Sequence, residues 1–243
     1  MSILPLSGKT ALVTGGAKRV GRELALALAG TGANVAFTFR DSATEASETE
    51  RAIQALGVRA IAMPMDVRSE ASVRAAVKAA IDSFGQLDLL VNNAGVFESA
   101  HLDAITVEQW DRVFETNTRG PFLMAREALP YLKAASGRII NLGSLGGMHP
   151  WATHAHYCSS KAALHMLTQT MAKAFAPEVS VNCVAPGYIE FDRDGAAAAH
   201  FAAKTPMGIN GTARDVADAV LFFATGPRFV TGQILAVDGG LGL

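Results

Sequence analysis

Short apolar runs alternate along this chain with longer segments in which apolar residues recur every three or four positions. The first pattern is typical of strands buried on both faces of a sheet, and the second of amphipathic helices. The predicted strands cover residues 10–13, 34–39, 59–65, 87–91, 138–142, 180–184 and 233–237, and the predicted helices cover residues 20–29, 45–56, 73–84, 107–134, 162–175 and 213–224. This alternation predicts one doubly wound α/β domain over residues 1–243, with a seven-stranded parallel sheet covered on both faces.

Residues 187–211 interrupt the alternation. They contain Asp192, Arg193 and Asp194, then four consecutive alanines, and no run that predicts a strand. A connection of this length in a compact domain is usually a lid or a binding loop. We therefore expect a substrate lid here, with a short helix over residues 196–203; the alternative is a simple surface excursion.

Charge and composition narrow the classes of function. The 21 Lys and Arg nearly balance the 22 Asp and Glu and are scattered, so a nucleic-acid partner is not expected. No uninterrupted apolar stretch is long enough to span a membrane, and residues 1–9 lack the pattern of a signal peptide. Cys158 and Cys183 lie in apolar segments, which favours reduced thiols over a disulfide or a metal site. These features predict a cytoplasmic protein without a membrane partner.

A glycine-rich turn joins the first predicted strand to the first predicted helix, and it reads Thr14-Gly15-Gly16-Ala17-Lys18-Arg19-Val20-Gly21. In a doubly wound sheet, such a turn places helix N-terminal amides beside a dinucleotide pyrophosphate. The spacing resembles the Thr-Gly-x-x-x-Gly-x-Gly motif of the short-chain dehydrogenase/reductase family, with Arg19 at the middle glycine. That resemblance implies a Rossmann domain that binds a nicotinamide dinucleotide.

The end of the second predicted strand bears on the choice between NADP(H) and NAD(H). The resemblance places Phe39 where an acidic residue would bind the adenosine ribose, and Arg40 follows it. Arg40, Arg19 and Lys18 could together surround a 2′-phosphate. NADP(H) is therefore the expected cofactor, although a shift of register would make Asp41 the ribose acceptor.

Three further motifs complete the expected cofactor site. The resemblance places Asp66 and the Val67 amide beside the adenine, Asn93-Ala94-Gly95 beside the ribose and nicotinamide, and Pro186, Gly187 and Ile189 against the nicotinamide. The residues expected to bind the cofactor are therefore Thr14, Gly15, Lys18, Arg19, Val20, Gly21, Phe39, Arg40, Asp66, Val67, Asn93, Ala94, Gly95, Tyr157, Lys161, Pro186, Gly187 and Ile189.

Tyr157 and Lys161 are the central catalytic candidates. Four residues apart on a predicted helix, they share one face, and a nearby ammonium is expected to lower the pKa of the phenol. Tyr157 would then exchange a proton with the substrate oxygen. Ser144, thirteen residues earlier, matches the family's serine that stabilises this oxygen, and Asn117 matches the family residue that holds a proton-relay water. The expected catalytic set is Asn117, Ser144, Tyr157 and Lys161.

The expected substrate pocket departs from the family pattern. Phe191 stands where a threonine often binds the cofactor, so either the lid folds differently or Phe191 forms an apolar wall. Trp151 could stack on a flat substrate or fasten its own loop to the core, and Tyr188 is the third pocket candidate. The three histidines between Ser144 and Tyr157 lack carboxylate or thiolate companions, so no metal is expected.

The substrate remains open between two groups. Ser144 agrees with 3-oxoacyl-acyl-carrier-protein reductases and general carbonyl reductases, whereas Arg19, Trp151 and Phe191 resemble pteridine reductases. A carbonyl substrate is favoured, pteridine reduction is the alternative, and a catalytically silent NADP(H)-binding regulator is a minor one. By resemblance, the long helices and the last strand predict a homotetramer or homodimer.

Overall fold

The computed structural model describes residues 4–191 and 195–243, and seven strands lie within these ranges. They are β1 (Thr10–Val13), β2 (Asn34–Phe39), β3 (Ala60–Pro64), β4 (Leu89–Asn92), β5 (Arg138–Leu142), β6 (Ser180–Pro186) and β7 (Ile234–Val237). All are parallel, in the order β3-β2-β1-β4-β5-β6-β7. The predicted doubly wound fold is confirmed, with strand limits shifted by up to two residues.

Helices connect these strands on both faces of the sheet. They are α1 (Arg19–Gly30), α2 (Ala43–Gln54), α3 (Glu70–Phe84), α4 (Val107–Phe114), α5 (Gly120–Ala134), α6 (Ala155–Phe175), α7 (Gly195–Lys204) and α8 (Ala213–Thr225). Helix α7 confirms the short helix predicted over residues 196–203. Helix α6 begins before the predicted residue 162, so its first two turns carry both Tyr157 and Lys161.

The helix predicted over residues 107–134 is confirmed in its limits, but it is not α-helical throughout. A π-helical turn, Glu115–Arg119, separates α4 from α5. Pro121 explains this widening, because it has no N–H to donate to the carbonyl of Asn117 four residues earlier, and its ring crowds that carbonyl. The turn places the wholly buried Asn117 at the helix junction.

Two hydrophobic clusters sandwich the sheet. Alternate residues of a strand point to opposite faces, so Val13 packs with α1, α2 and α8, whereas its neighbour Leu12 packs with α3 and α5. Each cluster is built mainly from Ala, Val and Leu, which explains why the strands read as continuous apolar runs.

The strand order reverses between β1 and β4. From β1 the chain proceeds outward through β2 and β3, then returns to β4 on the other side of β1. In open parallel sheets the crevice at such a reversal, beyond the carboxyl ends of the strands, is the usual ligand site. The glycine-rich turn after β1 and the Asn93-Ala94-Gly95 turn after β4 meet at this crevice.

Candidate active site

A cleft of about 440 Å³ lies beyond the carboxyl ends of β1–β4. Its floor is the glycine turn, where Gly15 has φ +66° and a Cβ there would lie 3.2 Å from Ala94 Cα. A Cβ on Gly21 would collide with the Gly15 carbonyl, so the turn can close only on glycine. The expected cofactor residues that line the cleft are Gly15, Lys18, Arg19, Val20, Gly21, Phe39, Arg40, Asp66, Val67, Asn93, Ala94 and Gly95.

Arg19, at the middle position of the motif, adopts a backbone conformation that favours glycine. Its φ is +51°, a left-handed value that costs a non-glycine residue about 1–2 kcal/mol. Its guanidinium carbon lies 5.4 Å from the ring centroid of Phe191, within the range of a cation–π interaction. The two departures from the family pattern therefore contact each other, and Phe191 lines the cofactor cleft.

The cations expected to bind a 2′-phosphate are held loosely. Arg40 Nε donates to Asp41 Oδ2 at 2.6 Å, and both side chains are more than half exposed. Lys18 Nζ lies 4.0 Å from Glu45 Oε1, also at the surface. Exposed pairs of this kind contribute little to stability, so both cations can reorient towards an anion.

The side chains of Thr14 and Asn93 hold the two turns together. Thr14 Oγ1 accepts hydrogen bonds from the Asn93 and Ala94 amides at 2.9 Å, and Asn93 Nδ2 donates to the Thr14 and Gly15 carbonyls. These bonds occupy both side chains within the protein. The structure therefore gives them a scaffolding position beneath the cleft.

Asp66 lines the cleft after β3 and forms an ion pair that the sequence did not predict. Arg68 Nη2 lies 2.7 Å from Asp66 Oδ2, and Arg68 Nε also donates to the same carboxylate. This hydrogen bonding holds the pKa of Asp66 below its usual value. The carboxylate is thus kept charged, with Val67 next to it packed against Gly120.

Ser144, Tyr157 and Lys161 come together at the ends of β5 and α6. Lys161 Nζ lies 5.9 Å from the Tyr157 ring centroid and donates to the Leu142 carbonyl at 2.7 Å. Ser144 Oγ accepts from the Gly146 amide at 3.1 Å, and its side chain is near enough to Tyr157 to affect the pKa of the phenol. A Cβ on Gly95, in the β4 turn, would lie 3.7 Å from Lys161 Nζ. The group therefore borders the cofactor cleft.

The direction of the Tyr157 pKa shift contradicts the sequence-based expectation. Burial raises the pKa of the phenol above its usual value, although the hydrogen bond with Ser144 acts in the opposite direction. Lys161 is itself buried, which lowers its pKa to about 8, and its ammonium donates to Leu142. Desolvation of the phenolate is thus the largest effect on the Tyr157 pKa, and Tyr157 holds its proton at neutral pH.

Asn117 joins the β4 turn to α6. Its Oδ1 accepts from the Val96 amide at 2.9 Å, and its Nδ2 donates to the Val96 carbonyl and to Ser160 Oγ at 3.0 Å each. The side-chain amide is therefore committed to protein partners. Any contact with a relay water would fall to the Asn117 backbone carbonyl, which Pro121 cannot satisfy.

An aromatic cluster borders Tyr157. The Trp151 ring is stacked on Tyr157 at 6.1 Å, and Phe97 meets Tyr157 edge-on at 4.8 Å. Phe97, 62% exposed, was missed from the sequence, although it follows the Asn-Asn-Ala-Gly motif by two residues. A Cβ on Gly146 would lie 3.0 Å from the Trp151 ring, which shows that Trp151 also fastens the Ser144 loop.

The segment after β6 lies at the edge of the same site. Gly187 donates to the Val237 carbonyl, and Ile189 forms a bridge with Gly211 that closes the base of the segment. Tyr188 stacks on Phe201 of α7 at 4.2 Å. Residues 192–194 of the expected lid lie outside the described residues.

Residues 4–191 and 195–243 show neither a metal site nor a membrane-spanning helix. These ranges hold no group of three or more His, Cys, Asp or Glu side chains arranged for a metal ion. Their helices also include none long and apolar enough to cross a membrane.

Comparison with known proteins gives close matches over nearly the whole chain. Residues 15–242 match the family model described as enoyl-(acyl carrier protein) reductase. A 3β-hydroxysteroid dehydrogenase of Eggerthella lenta is 38% identical over 98% of this chain and 95% of its own length. A 3-oxoacyl-[acyl-carrier-protein] reductase of Synechocystis sp. is 37% identical over 97% and 98%. A short-chain dehydrogenase of Burkholderia cenocepacia, solved in complex with NADP, superposes with a TM-score of 0.92 at 39% identity, covering 98% of this chain and all of the other.

Proposed function

Because this chain belongs to the short-chain dehydrogenase/reductase family, we propose that it is an NADP(H)-dependent oxidoreductase that reduces a carbonyl group. The observation that carries the proposal is the placement of Tyr157 next to Lys161, which in turn lies beside Gly95 at the cofactor cleft. A phenol that is protonated at neutral pH can give its proton to a carbonyl oxygen as the hydride arrives.

The residues present fit a phosphorylated dinucleotide. The glycine turn leaves backbone amides at the N-terminus of α1 facing the cleft, and Arg19, Arg40 and Lys18 supply positive charge along it. The Burkholderia cenocepacia relative was solved with NADP, which supports the same cofactor here. Thr14 and Asn93 hold this site from beneath, and Pro186, Gly187 and Ile189 are proposed to contact the nicotinamide at its far end.

Bound NADPH would supply the hydride. The chain supplies the rest: Tyr157 holds the proton that the substrate oxygen receives, and Ser144 can donate its hydroxyl hydrogen to that oxygen because its Oγ already accepts from Gly146. Lys161 keeps a positive charge next to Tyr157, and Asn117 fixes the backbone turn that faces Lys161.

Replacing Tyr157 by Phe tests this assignment. The variant should bind NADPH with nearly unchanged affinity and lose more than about 100-fold in carbonyl reduction, because general acid catalysis contributes about 10²–10⁴-fold. Trp151→Phe, in the same aromatic cluster, is the matched control and should retain the proton donor. Full activity of Tyr157→Phe would exclude the mechanism.

The aromatic cluster supports pteridine reduction as a second candidate. Phe97 and Trp151 present ring surfaces beside Tyr157, and such surfaces bind flat heterocycles. Purified protein should be given an acetoacetyl thioester, a 3-ketosteroid and dihydrobiopterin in separate assays of NADPH consumption. Turnover of the pterin alone would replace the carbonyl proposal, and NADPH binding without any turnover would favour the silent regulator.

Residues 187–211 are proposed as the substrate lid, and a homotetramer or homodimer as the assembly. The lid proposal is supported by Phe191, which lines the cofactor cleft, and by the stacking of Tyr188 on Phe201, which ties α7 to the same segment. The assembly proposal is supported by exposed apolar side chains on the outer helices, namely Trp110, Phe122 and Met166. Cross-linking or light scattering of the purified protein tests the assembly.

A cytoplasmic location stays a proposal, supported by the free thiols of Cys158 and Cys183.

A further inference from the structure

A buried histidine lies directly under the loop that carries Ser144. His165 follows Lys161 by one turn of α6 and Tyr157 by two, so all three lie on the same face of the helix. Its side chain is only 5% exposed. None of the sequence motifs includes it, and the proposed chemistry does not use it.

The imidazole accepts a hydrogen bond from the backbone of the proposed oxygen-binding residue. The Ser144 amide donates to His165 Nε2 at 3.4 Å. A backbone amide can only donate, unlike a hydroxyl, so Nε2 must be unprotonated and the neutral ring must carry its hydrogen on Nδ1. The contact therefore selects one tautomer.

Two glycines of the same loop enclose the ring. A Cβ on Gly143 would collide with His165 Nε2, and a Cβ on Gly147 would lie 2.6 Å from Cε1. The Ser144 loop thus follows the surface of the imidazole from one side to the other. A side chain on either glycine would push the loop away from the ring.

The surroundings of His165 keep the ring neutral. Burial, with the nearby Lys161 charge, lowers the pKa of His165 to about 4. Cys183, whose sulfur a Cβ on Gly143 would also meet, is buried and its pKa is raised to about 12, so it brings no negative charge. The acceptor at Nε2 is therefore retained at neutral pH.

We propose that His165 is a positioning residue that sets the Ser144 backbone, and through it the Ser144 hydroxyl, for the substrate oxygen. This inference rests on the proposed reduction of a carbonyl by the same site. His165 itself lies beneath the loop and would not contact substrate or cofactor.

The first test is a double-mutant cycle with Ser144. His165→Leu removes the acceptor and should lower kcat/KM about tenfold, while the NADPH Kd changes less than about twofold. His165→Gln restores an acceptor oxygen near the Nε2 position and should recover most of that loss. In a Ser144→Ala background, His165→Leu should have less than about a twofold further effect, because the residue that it positions is gone. A full tenfold loss in that background would overturn the proposal.

The second test needs no substrate. In ¹⁵N-histidine NMR spectra of the whole protein, the His165 ring should show an unprotonated Nε2 and a protonated Nδ1 from pH 7 down to pH 5. A ring protonated at Nε2, or one that titrates near 6.5, would overturn the proposal. If the wild-type protein reduces no carbonyl compound, the proposed function fails, and the spectrum alone then decides whether His165 holds the Ser144 backbone.

Discussion

The pair Arg40 and Asp41 offers a sharp test of how the cleft selects its cofactor. Arg40 Nε lies 2.6 Å from Asp41 Oδ2, and the two side chains are 54% and 73% exposed. At such exposure the pair contributes at most about 1 kcal/mol, so a 2′-phosphate can recruit Arg40 at small cost. Asp41, by contrast, brings negative charge close to where that phosphate would lie.

The magnitudes follow from these positions. A hydrogen bond to a charged group contributes about 1.5–3 kcal/mol, and the exposure of Arg40 favours the lower end. Arg40→Ala should therefore raise the NADPH Kd about tenfold and leave the NADH Kd nearly unchanged. Asp41→Ala removes repulsion of roughly 1 kcal/mol across solvent and should tighten NADPH about three- to fivefold.

The assay is a fluorescence titration of each variant with NADPH and with NADH at low and at moderate salt. Both effects on NADPH should shrink as salt rises, because the groups are exposed. Arg40→Ala alone has two effects on NADPH: it removes a cation that attracts the 2′-phosphate, and it leaves the Asp41 carboxylate unpaired, so that it repels the phosphate. The double variant Arg40→Ala/Asp41→Ala separates these two effects. Equal changes for NADPH and NADH, or a weaker binding of NADPH by Asp41→Ala, would refute the reasoning.

Three further predictions concern other residues of the site. Arg19→Gly should change the free energy of unfolding by less than about 1 kcal/mol in denaturant titrations, because relief of the left-handed backbone offsets loss of the Phe191 contact. The same variant should raise the NADPH Kd about tenfold. Because the pKa of His165 is lowered in the folded protein, the unfolded chain takes up a proton first as the pH falls, and the free energy of unfolding of the wild type should fall by about 1–2 kcal/mol between pH 7 and pH 5. His165→Gln should lack this part of the pH dependence. Equal pH dependence in the two proteins would contradict the prediction. Within the described residues both ring nitrogens of the fully buried His156 lack a hydrogen-bond partner. His156→Leu should therefore raise the free energy of unfolding by about 1 kcal/mol, and a large loss of stability would show that the ring is satisfied in solution.

Local spacing was enough to predict the fold and the shared helix face of Tyr157 and Lys161. The apolar runs identified all seven strands, because both faces of a parallel sheet are buried and each strand records that in its own residues. The helical spacing of Tyr157 and Lys161 predicted that they share one face, and the ammonium does lie 5.9 Å from the phenol ring centroid. The glycine turn likewise predicted the cleft, since only glycine can close it.

Contacts between distant segments were beyond such reasoning. The helical pattern over residues 107–134 predicted the limits of this helix, but not the π-helical turn at Glu115–Arg119, which depends on how Pro121 meets the carbonyl of Asn117. The sequence gives only a weak indication that Phe97 belongs to the site, namely its position two residues after the Asn-Asn-Ala-Gly motif. The indication for His165 is weaker still, namely its helical spacing from Lys161. Neither signal says which loop the side chain will contact.

The sequence by itself determined the sheet, the cofactor turn and the residues that share a helix face, because these depend on periodicity and on the backbone limits of single residues. The tertiary structure alone decided the contact between Arg19 and Phe191, the place of His165 under Ser144, and the raised pKa of Tyr157. Each of these depends on how fully packing removes a group from water and on which distant partner it then meets. Spacing along the chain does not contain that information, since desolvation is a property of the assembled core.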